Sequence, residues 1–133
     1  MPVVWRGDAV TKQVEIAAMQ GLIKGGLKVK GEMIRRIKSP PKTGRVYTRR
    51  GIRHQASAPG EAPATDTGNL INSIDIFPNP ALLSVSVNVA ASYAAALEFG
   101  TQKIQPRPYA RVSLAVMLPM IERDIARAIT KAL

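Results

Sequence analysis

The sequence predicts an α+β domain in which a small antiparallel β-sheet packs against two long helices, with a long basic loop that we expect to be ordered. Apolar residues recur at three-to-four spacing over 8–37 and again over 109–132, as amphipathic helices require. Between them, residues 83–89 alternate with period two, which is typical of a strand. A chain of 133 residues is long enough for one core, so we expect 1–133 to form a single domain.

The first predicted helix contains Gly21, Gly25, Gly26 and Gly31, each of which costs up to about 1 kcal/mol relative to alanine. We favour the interpretation that the helix tolerates this weakness; the other interpretation is that a neighbouring backbone approaches closely. Asp8 is placed to cap the start of the helix. Two consecutive prolines at 40–41 end it, because proline cannot continue a helix.

A loop over about 39–68 follows, and most of the chain's charge lies in and just before it. Residues 24–53 hold eleven Lys and Arg against one acid, Glu32, which equals the net charge of +10 of the whole chain. Such a local field suits an acidic surface or nucleic acid, although a solvated surface is the simpler alternative. Alternation over 45–49 predicts a hairpin arm. The candidate binding residues of this loop are Arg45, Arg49, Arg50 and Arg53.

The next predicted unit is an antiparallel β-hairpin. One strand begins at Ile74, the turn contains Pro78 and Pro80, and the second strand covers 83–89. In the second strand, one face is apolar and the other carries short neutral polar side chains that suit contact with another subunit. The apolar face consists of Leu83, Val85, Val87 and Val89.

The stretch 91–109 predicts a short helix and a stiff connection to the second long helix. Ser92 can cap the short helix and Gly100 can end it. Pro106 and Pro108 flank Arg107, and proline pushes the preceding residue into an extended conformation. Residues 100–109, which we call the strap, therefore hold two helices in a fixed relation.

Two blocks of this sequence resemble the signature of a family of bacteriophage neck proteins, known as head–tail joining, connector or tail-completion proteins. The first block reads SAPGEAP at 57–63 and DTGNLINSI at 66–74. The second reads YAAALEFGT at 93–101 and PRPY at 106–109. The chain departs from the family pattern at Ala62, where a proline is usual. The resemblance covers about 57–111, and both blocks occur in the family's order.

The resemblance implies a structural virion protein that forms a ring at the neck, joins the head to the tail and lets DNA pass. The implied partners are copies of itself in a cyclic hexamer or dodecamer, a head-side connector or stopper ring, and the tail tube or tail terminator. Non-specific contact with phage DNA is a further implied interaction. The implied location is the virion neck, and the host cytoplasm during assembly. Two alternatives stay open: a tail terminator ring and a basic nucleic-acid-binding module.

The matched residues of the second block are the candidate subunit or partner interface. We expect Glu98 and Arg107 to form a charge pair that holds the strap. We expect Tyr93 to lie at an interface, whereas for Phe99 we favour core packing against the face of Val85, Val87 and Val89 over an interface role. The full set of interface candidates is Tyr93, Glu98, Phe99, Gly100, Arg107, Pro108 and Tyr109.

No constellation of residues predicts catalysis, so we expect no enzyme, metal or cofactor. The chain has no cysteine, and its single histidine, His54, has no ligand-spaced neighbours. Asp66-Thr67-Gly68 matches the triplet of aspartic proteases, but no apolar strand precedes it, and a helix N-cap is the better interpretation. No signal peptide and no membrane span is predicted.

Overall fold

The structure is a computed structural model that describes residues 7–39, 42, 44, 46–49, 51–57, 59, 61, 63, 68–103 and 105–133, without the side chains of 49, 52 and 54. It has the predicted α+β architecture, with two long helices packed together and small antiparallel sheets. The elements are α1 (Gly7–Lys38), β1 (Val46–Arg49), β2 (Ile52–Gln55), α2 (Asn69–Asn72), β3 (Ile74–Asn79), β4 (Ser84–Val89), α3 (Ala94–Phe99) and α4 (Ala110–Ala132).

The long helices α1 and α4 pack closely and antiparallel, and glycines on α1 make this possible. A Cβ atom on Gly25 would lie 2.8 Å from Cγ2 of Ile121, and one on Gly21 would lie 3.0 Å from Cγ1 of Ile125. Ordinary carbon contacts are about 3.5–4.0 Å. The expectation that these glycines are merely tolerated is therefore wrong for both positions, because the neighbouring helix occupies the space that a side chain would need.

The hairpin of β3 and β4 packs across α1 at the next glycine. Its register runs from Ile74 opposite Val89 to Asn79 opposite Ser84. A Cβ atom on Gly26 would lie 2.8 Å from Cγ1 of Val85, so the sheet also approaches the helix backbone closely. A 3-10 turn over Pro80–Leu82 joins the two strands.

Leu83 differs from its predicted place in the strand. It has φ 47° and ψ 54°, in the left-handed region, and forms the end of the turn. The strand begins one residue later, at Ser84. Alternation predicted the inward face correctly from Val85 onward, but it could not show where the turn ends.

The predicted hairpin arm is present as β1 and β2. Val46 lies opposite Gln55 and Arg49 lies opposite Ile52. Gly51 in the connection has φ 76°, a conformation that favours glycine. The arm is fastened at its base, where the N–H of Gly44 donates to the carbonyl of Ala56 at 2.8 Å.

The core lies where the C-terminal half of α1 meets α2, β3, the start of α3 and the start of α4. Met33, Ile37, Ile74 and Tyr109 are each 1% exposed there. The N-terminal half of α1 is much less covered, and Ile16 is 51% exposed. The core therefore holds the strap and its two flanking helices against one end of α1.

The ends of the short helix α3 are set by its backbone. It begins at Ala94 with Tyr93 as N-cap and no side-chain cap, so the predicted cap by Ser92 is wrong. Gly100 ends it as predicted, with φ 77° and ψ 173°, a region that is essentially restricted to glycine. Similarly, Asp8 lies in the first turn of α1 rather than before it. The proposed capping residues Asp66 and Thr67 lie outside the described residues.

Candidate assembly site

Glu98, in the last turn of α3, caps the start of α4. Its Oε2 accepts hydrogen bonds from the backbone N–H groups of Tyr109 at 2.8 Å and Ala110 at 2.9 Å. Its Oε1 accepts from the N–H of Arg111 at 2.9 Å. The first N–H groups of a helix have no intrahelical acceptor, so a carboxylate supplied by the preceding helix satisfies them. The residue is only 4% exposed.

The environment of Glu98 keeps its carboxylate ionised. Burial acts to raise its pKa, but the N–H donors of Tyr109, Ala110 and Arg111 together with the Arg111 guanidinium outweigh burial and lower the pKa below its ordinary value of 4.5. A negative charge is also favoured at a helix N-terminus because of the aligned peptide dipoles. Glu98 therefore joins α3 to α4 by charge as well as by hydrogen bonds.

The side-chain partner of Glu98 is Arg111, so the predicted pair of Glu98 with Arg107 is wrong. Arg111 Nε donates to Glu98 Oε1 at 2.9 Å and Nη2 donates to the Glu98 carbonyl at 3.1 Å. Its guanidinium carbon lies 4.7 Å from the centroid of the Phe99 ring, a cation–π geometry. Sequence reasoning missed Arg111; the available signal was a cation in the first turn of α4, an unfavourable place unless a carboxylate pairs with it.

Arg107 has a different role, in which it ties the strap to two other segments. Its backbone N–H donates to the carbonyl of Leu97 at 2.6 Å. Its side-chain Nε donates to the carbonyl of Ser57 at 3.2 Å. Ser57 belongs to the first of the two sequence blocks and Arg107 to the second, so the blocks meet at this contact.

The three aromatic candidates separate into one core residue and two surface residues. Tyr109 is 1% exposed, and its O–H lies 3.4 Å from the carbonyl of Ala94. Burial, followed by the nearby Glu98 and Tyr93, raises the pKa of Tyr109 to about 12. Its ring thus belongs to the core of its own chain rather than to a surface that a neighbour could reach.

Tyr93 and Phe99 remain on the surface. Tyr93 is 41% exposed and Phe99 is 62% exposed. The expected packing of Phe99 against the apolar face of β4 is wrong, because Gly100 ends α3 at once and Phe99 lies over Arg111 instead. Pro108 is half-buried next to Tyr109.

The candidate residues of the basic loop are only partly within the described chain. Arg45 and Arg50 lie outside the described residues, and so does the side chain of Arg49. Arg53 is exposed on β2. Whether this loop faces DNA or a partner ring stays a prediction.

The helical part of the basic segment is partly neutralised within the chain. Glu32, which is 6% exposed, accepts from Arg35 Nη2 at 2.6 Å and lies 3.0 Å from Arg36 Nε. The hydrogen bond from Arg35 is the main reason that the pKa of Glu32 is lowered. Lys28 pairs with Asp124 on α4. These pairs offset part of the positive charge of the segment.

Beside Arg111, an open apolar groove of about 360 Å³ lies between α1, β4 and α4. We call it the apolar groove; its walls include Leu22, Val29, Val85, Val87, Leu114 and Leu118. Leu114 and Leu118 are still 48% and 43% exposed. The charged residue among those lining it is Arg111, which is already paired with Glu98. The groove is therefore an apolar surface, and its charged lining residue is not available to pair with a ligand.

No protein-family model, curated protein or solved structure matches the chain. Among the residues that the structure describes, no three His, Cys, Asp or Glu side chains lie together so that they could hold a metal ion. In the same part of the chain, no helix is both long enough and apolar enough to cross a lipid bilayer.

Proposed function

We propose that this chain is a structural subunit of a ring at the neck of a long-tailed bacteriophage, where it joins the head to the tail and lets DNA pass. The observation that carries the proposal is the contact of Arg107 with Ser57. These residues are 50 positions apart, and each belongs to one of the two blocks that resemble the neck-protein signature. Because the two blocks resemble the signature in the same order and also contact each other, they support the interpretation that both belong to one structural unit.

The second block forms the joint between α3 and α4, and this joint suits a subunit of an assembly. Glu98 fixes the start of α4 and Gly100 fixes the end of α3, so the direction of α4 is determined by the matched residues. A rigid joint suits a protein that must present its surfaces to several neighbours at once, because little ordering entropy is then lost on assembly.

The helix α4 exposes apolar side chains on two of its sides. Leu114 and Leu118 share one edge, and Val116 and Met120, 51% and 39% exposed, share another. At 3.6 residues per turn, the two edges are roughly 160° apart around the helix, on either side of the buried stripe that contains Ile121. Two different patches on each subunit are what a closed head-to-tail ring needs.

In this proposal the partners are further copies of the chain in a hexamer or dodecamer, a head-side connector or stopper ring, and the tail tube or its terminator. The chain acts in the virion neck and assembles in the host cytoplasm. A tail terminator ring is the alternative within the same class, and a nucleic-acid-binding module is the alternative outside it. Arg53 is exposed on the hairpin arm. It would support the nucleic-acid-binding module if the affinity of the chain for nucleic acid fell steeply as salt rises.

The test is to express Arg107→Ala in place of the wild-type chain in the phage and to image the lysate. We expect DNA-filled heads and complete tails that remain separate, because the strap and the segment at Ser57 lose their tie. Arg123→Ala, an exposed arginine on α4, is the matched control and should give joined particles. A normal infectious titre from Arg107→Ala would contradict the proposal, and overlong tails would favour the terminator, since a tube without its cap keeps growing.

A further inference from the structure

The end of the β3–β4 hairpin is apolar and exposed. Leu82 is 74% exposed, Phe77 is 55% exposed and Leu83 is 42% exposed; we call these three side chains the apolar turn. The N–H of Leu82 donates to Oδ1 of Asn79 at 3.3 Å, and Pro80 restrains the backbone. Exposed turns are normally polar, so this composition needs an explanation.

The backbone at Leu83 adds a second sign that the turn has a role. A leucine with φ 47° is strained, because its Cβ lies too close to the carbonyl that follows. Glycine or asparagine would relieve that strain. Residues kept in such conformations cluster where function needs a particular geometry, and here the strained residue ends an exposed apolar turn.

The region around this turn differs from the rest of the chain because it lacks charged residues. Residues 76–97 contain no Lys, Arg, Asp or Glu, in a chain where these types make up 21% of residues and the net charge is +10. The apolar turn and the β4 wall of the apolar groove both lie in this uncharged stretch. Two copies with a charge of +10 repel each other, so a contact between them is favoured where neither surface adds positive charge.

We propose that the apolar turn of one copy inserts into the apolar groove of the next copy, which forms the repeating head-to-tail contact of the ring. One surface is convex and the other is concave, so neither pairs with itself, and the contact continues from copy to copy. The inference rests on the proposed function in that both require self-assembly.

The turn cannot fill the groove of its own chain. Pro80 and Leu83 line a separate depression on the N-terminal half of α1 with Ile16 and Met19. The groove has its floor further along α1, from Leu22 to Met33, and its β4 wall at Val85 and Val87, and neither Leu82 nor Leu83 lines it. We take a second copy as the occupant, because the same chain exposes Leu82 at a position that does not line its own groove. Among the described residues that line the groove, the charged side chain is Arg111, which already pairs with Glu98, so a peptide or nucleic acid that depends on charge has no free partner there.

The absence of cysteine from the chain allows a direct test by disulfide cross-linking. We expect Leu82→Cys combined with Leu118→Cys to give a ladder of dimers, trimers and larger species on a non-reducing gel after mild oxidation. The matched control is Leu27→Cys with Leu118→Cys, because Leu27 is 52% exposed on α1 and lies outside both surfaces. It should give no ladder.

The outcomes separate the inference from the proposed function. Dimers from Leu118→Cys alone would mean that two grooves face each other, which overturns the inference. Rings without any cross-link between positions 82 and 118 would also overturn it, while the ring proposal would stand. Absence of any association would contradict both. As a second readout, Leu82→Ser should weaken self-association at least about tenfold while Leu27→Ser leaves it unchanged, with equal circular dichroism for both variants.

Discussion

At the scale of single residues, Glu98 determines how the joint between α3 and α4 is made. One carboxylate accepts three backbone hydrogen bonds and pairs with Arg111. Removal of an acceptor from buried N–H donors costs more than the bonds contribute net, because the donors are left without water or protein partners. The effect of changing Glu98 should therefore appear in folding stability before it appears in assembly.

Glu98→Gln should destabilise the fold by about 1–3 kcal/mol at pH 7, because the amide keeps only one acceptor oxygen and loses the charge. Chemical denaturation followed by circular dichroism measures this. Glu122→Gln on the exposed side of α4 is the matched control and should change stability by no more than about 0.5 kcal/mol. Equal stability of the two variants would show that the capping contact contributes nothing.

The same residue should make stability depend on acid pH. The pKa of Glu98 is lowered in the folded state, so its contribution is complete above its ordinary value of 4.5 and is lost as the pH falls through the folded-state pKa. The difference in unfolding free energy between wild type and Glu98→Gln should shrink over that range. A difference that stays constant from pH 7 down to pH 3 would contradict this assignment.

The partner of Glu98 could not be predicted from the sequence. The motif indicated that Glu98 and Arg107 belong to one unit, and they do, but through the backbone of Tyr109 and Leu97 rather than with each other. A carboxylate can pair with any nearby cation, and the choice of Arg111 depends on the angle at which α4 leaves the strap. That angle is a tertiary property.

At the scale of elements, apolar periodicity predicted most of the fold. Both long helices and the β3–β4 hairpin end within two residues of their predicted bounds, because three-to-four and two-residue spacing reflect which face is buried. The glycines of α1 were misinterpreted, since a glycine looks the same in sequence whether its neighbour is solvent or another helix. Gly21 and Gly25 face α4, whereas Gly31 has open space.

Two alanine substitutions in α1 test this distinction. Gly25→Ala should destabilise the fold by about 1–3 kcal/mol, because the added Cβ would lie 2.8 Å from a branch carbon of Ile121, which has little freedom to move. Gly31→Ala is the matched control and should stabilise by up to about 1 kcal/mol through helix propensity alone. Equal effects at both positions in chemical denaturation would refute the close packing of α1 on α4.

At the scale of the whole molecule, charge and apolar surface oppose each other. The net charge of +10 disfavours contact between copies, whereas the apolar turn, the apolar groove and the exposed edges of α4 favour it. The Debye length falls from about 10 Å at 0.1 M salt to about 3 Å at 1 M, so added salt removes repulsion between copies and leaves apolar attraction in place.

Self-association should therefore strengthen as salt rises from about 0.1 M to about 1 M. Sedimentation velocity over a concentration series measures it, and Leu82→Ser should keep the same sign with weaker association throughout. A wild-type chain whose association weakens with salt would instead be held together by charge, as expected for a nucleic-acid-binding module that carries bound nucleic acid.

The central claim, that this chain closes into a ring, is tested most directly by the mass of the purified chain in solution. One subunit has a mass of 14.3 kDa. Native mass spectrometry should find a single closed species at six or twelve times that mass, without a continuous series of larger ones, because a ring leaves no free end. A monomer at every protein concentration and salt concentration, or an open-ended series without a preferred size, would contradict the account.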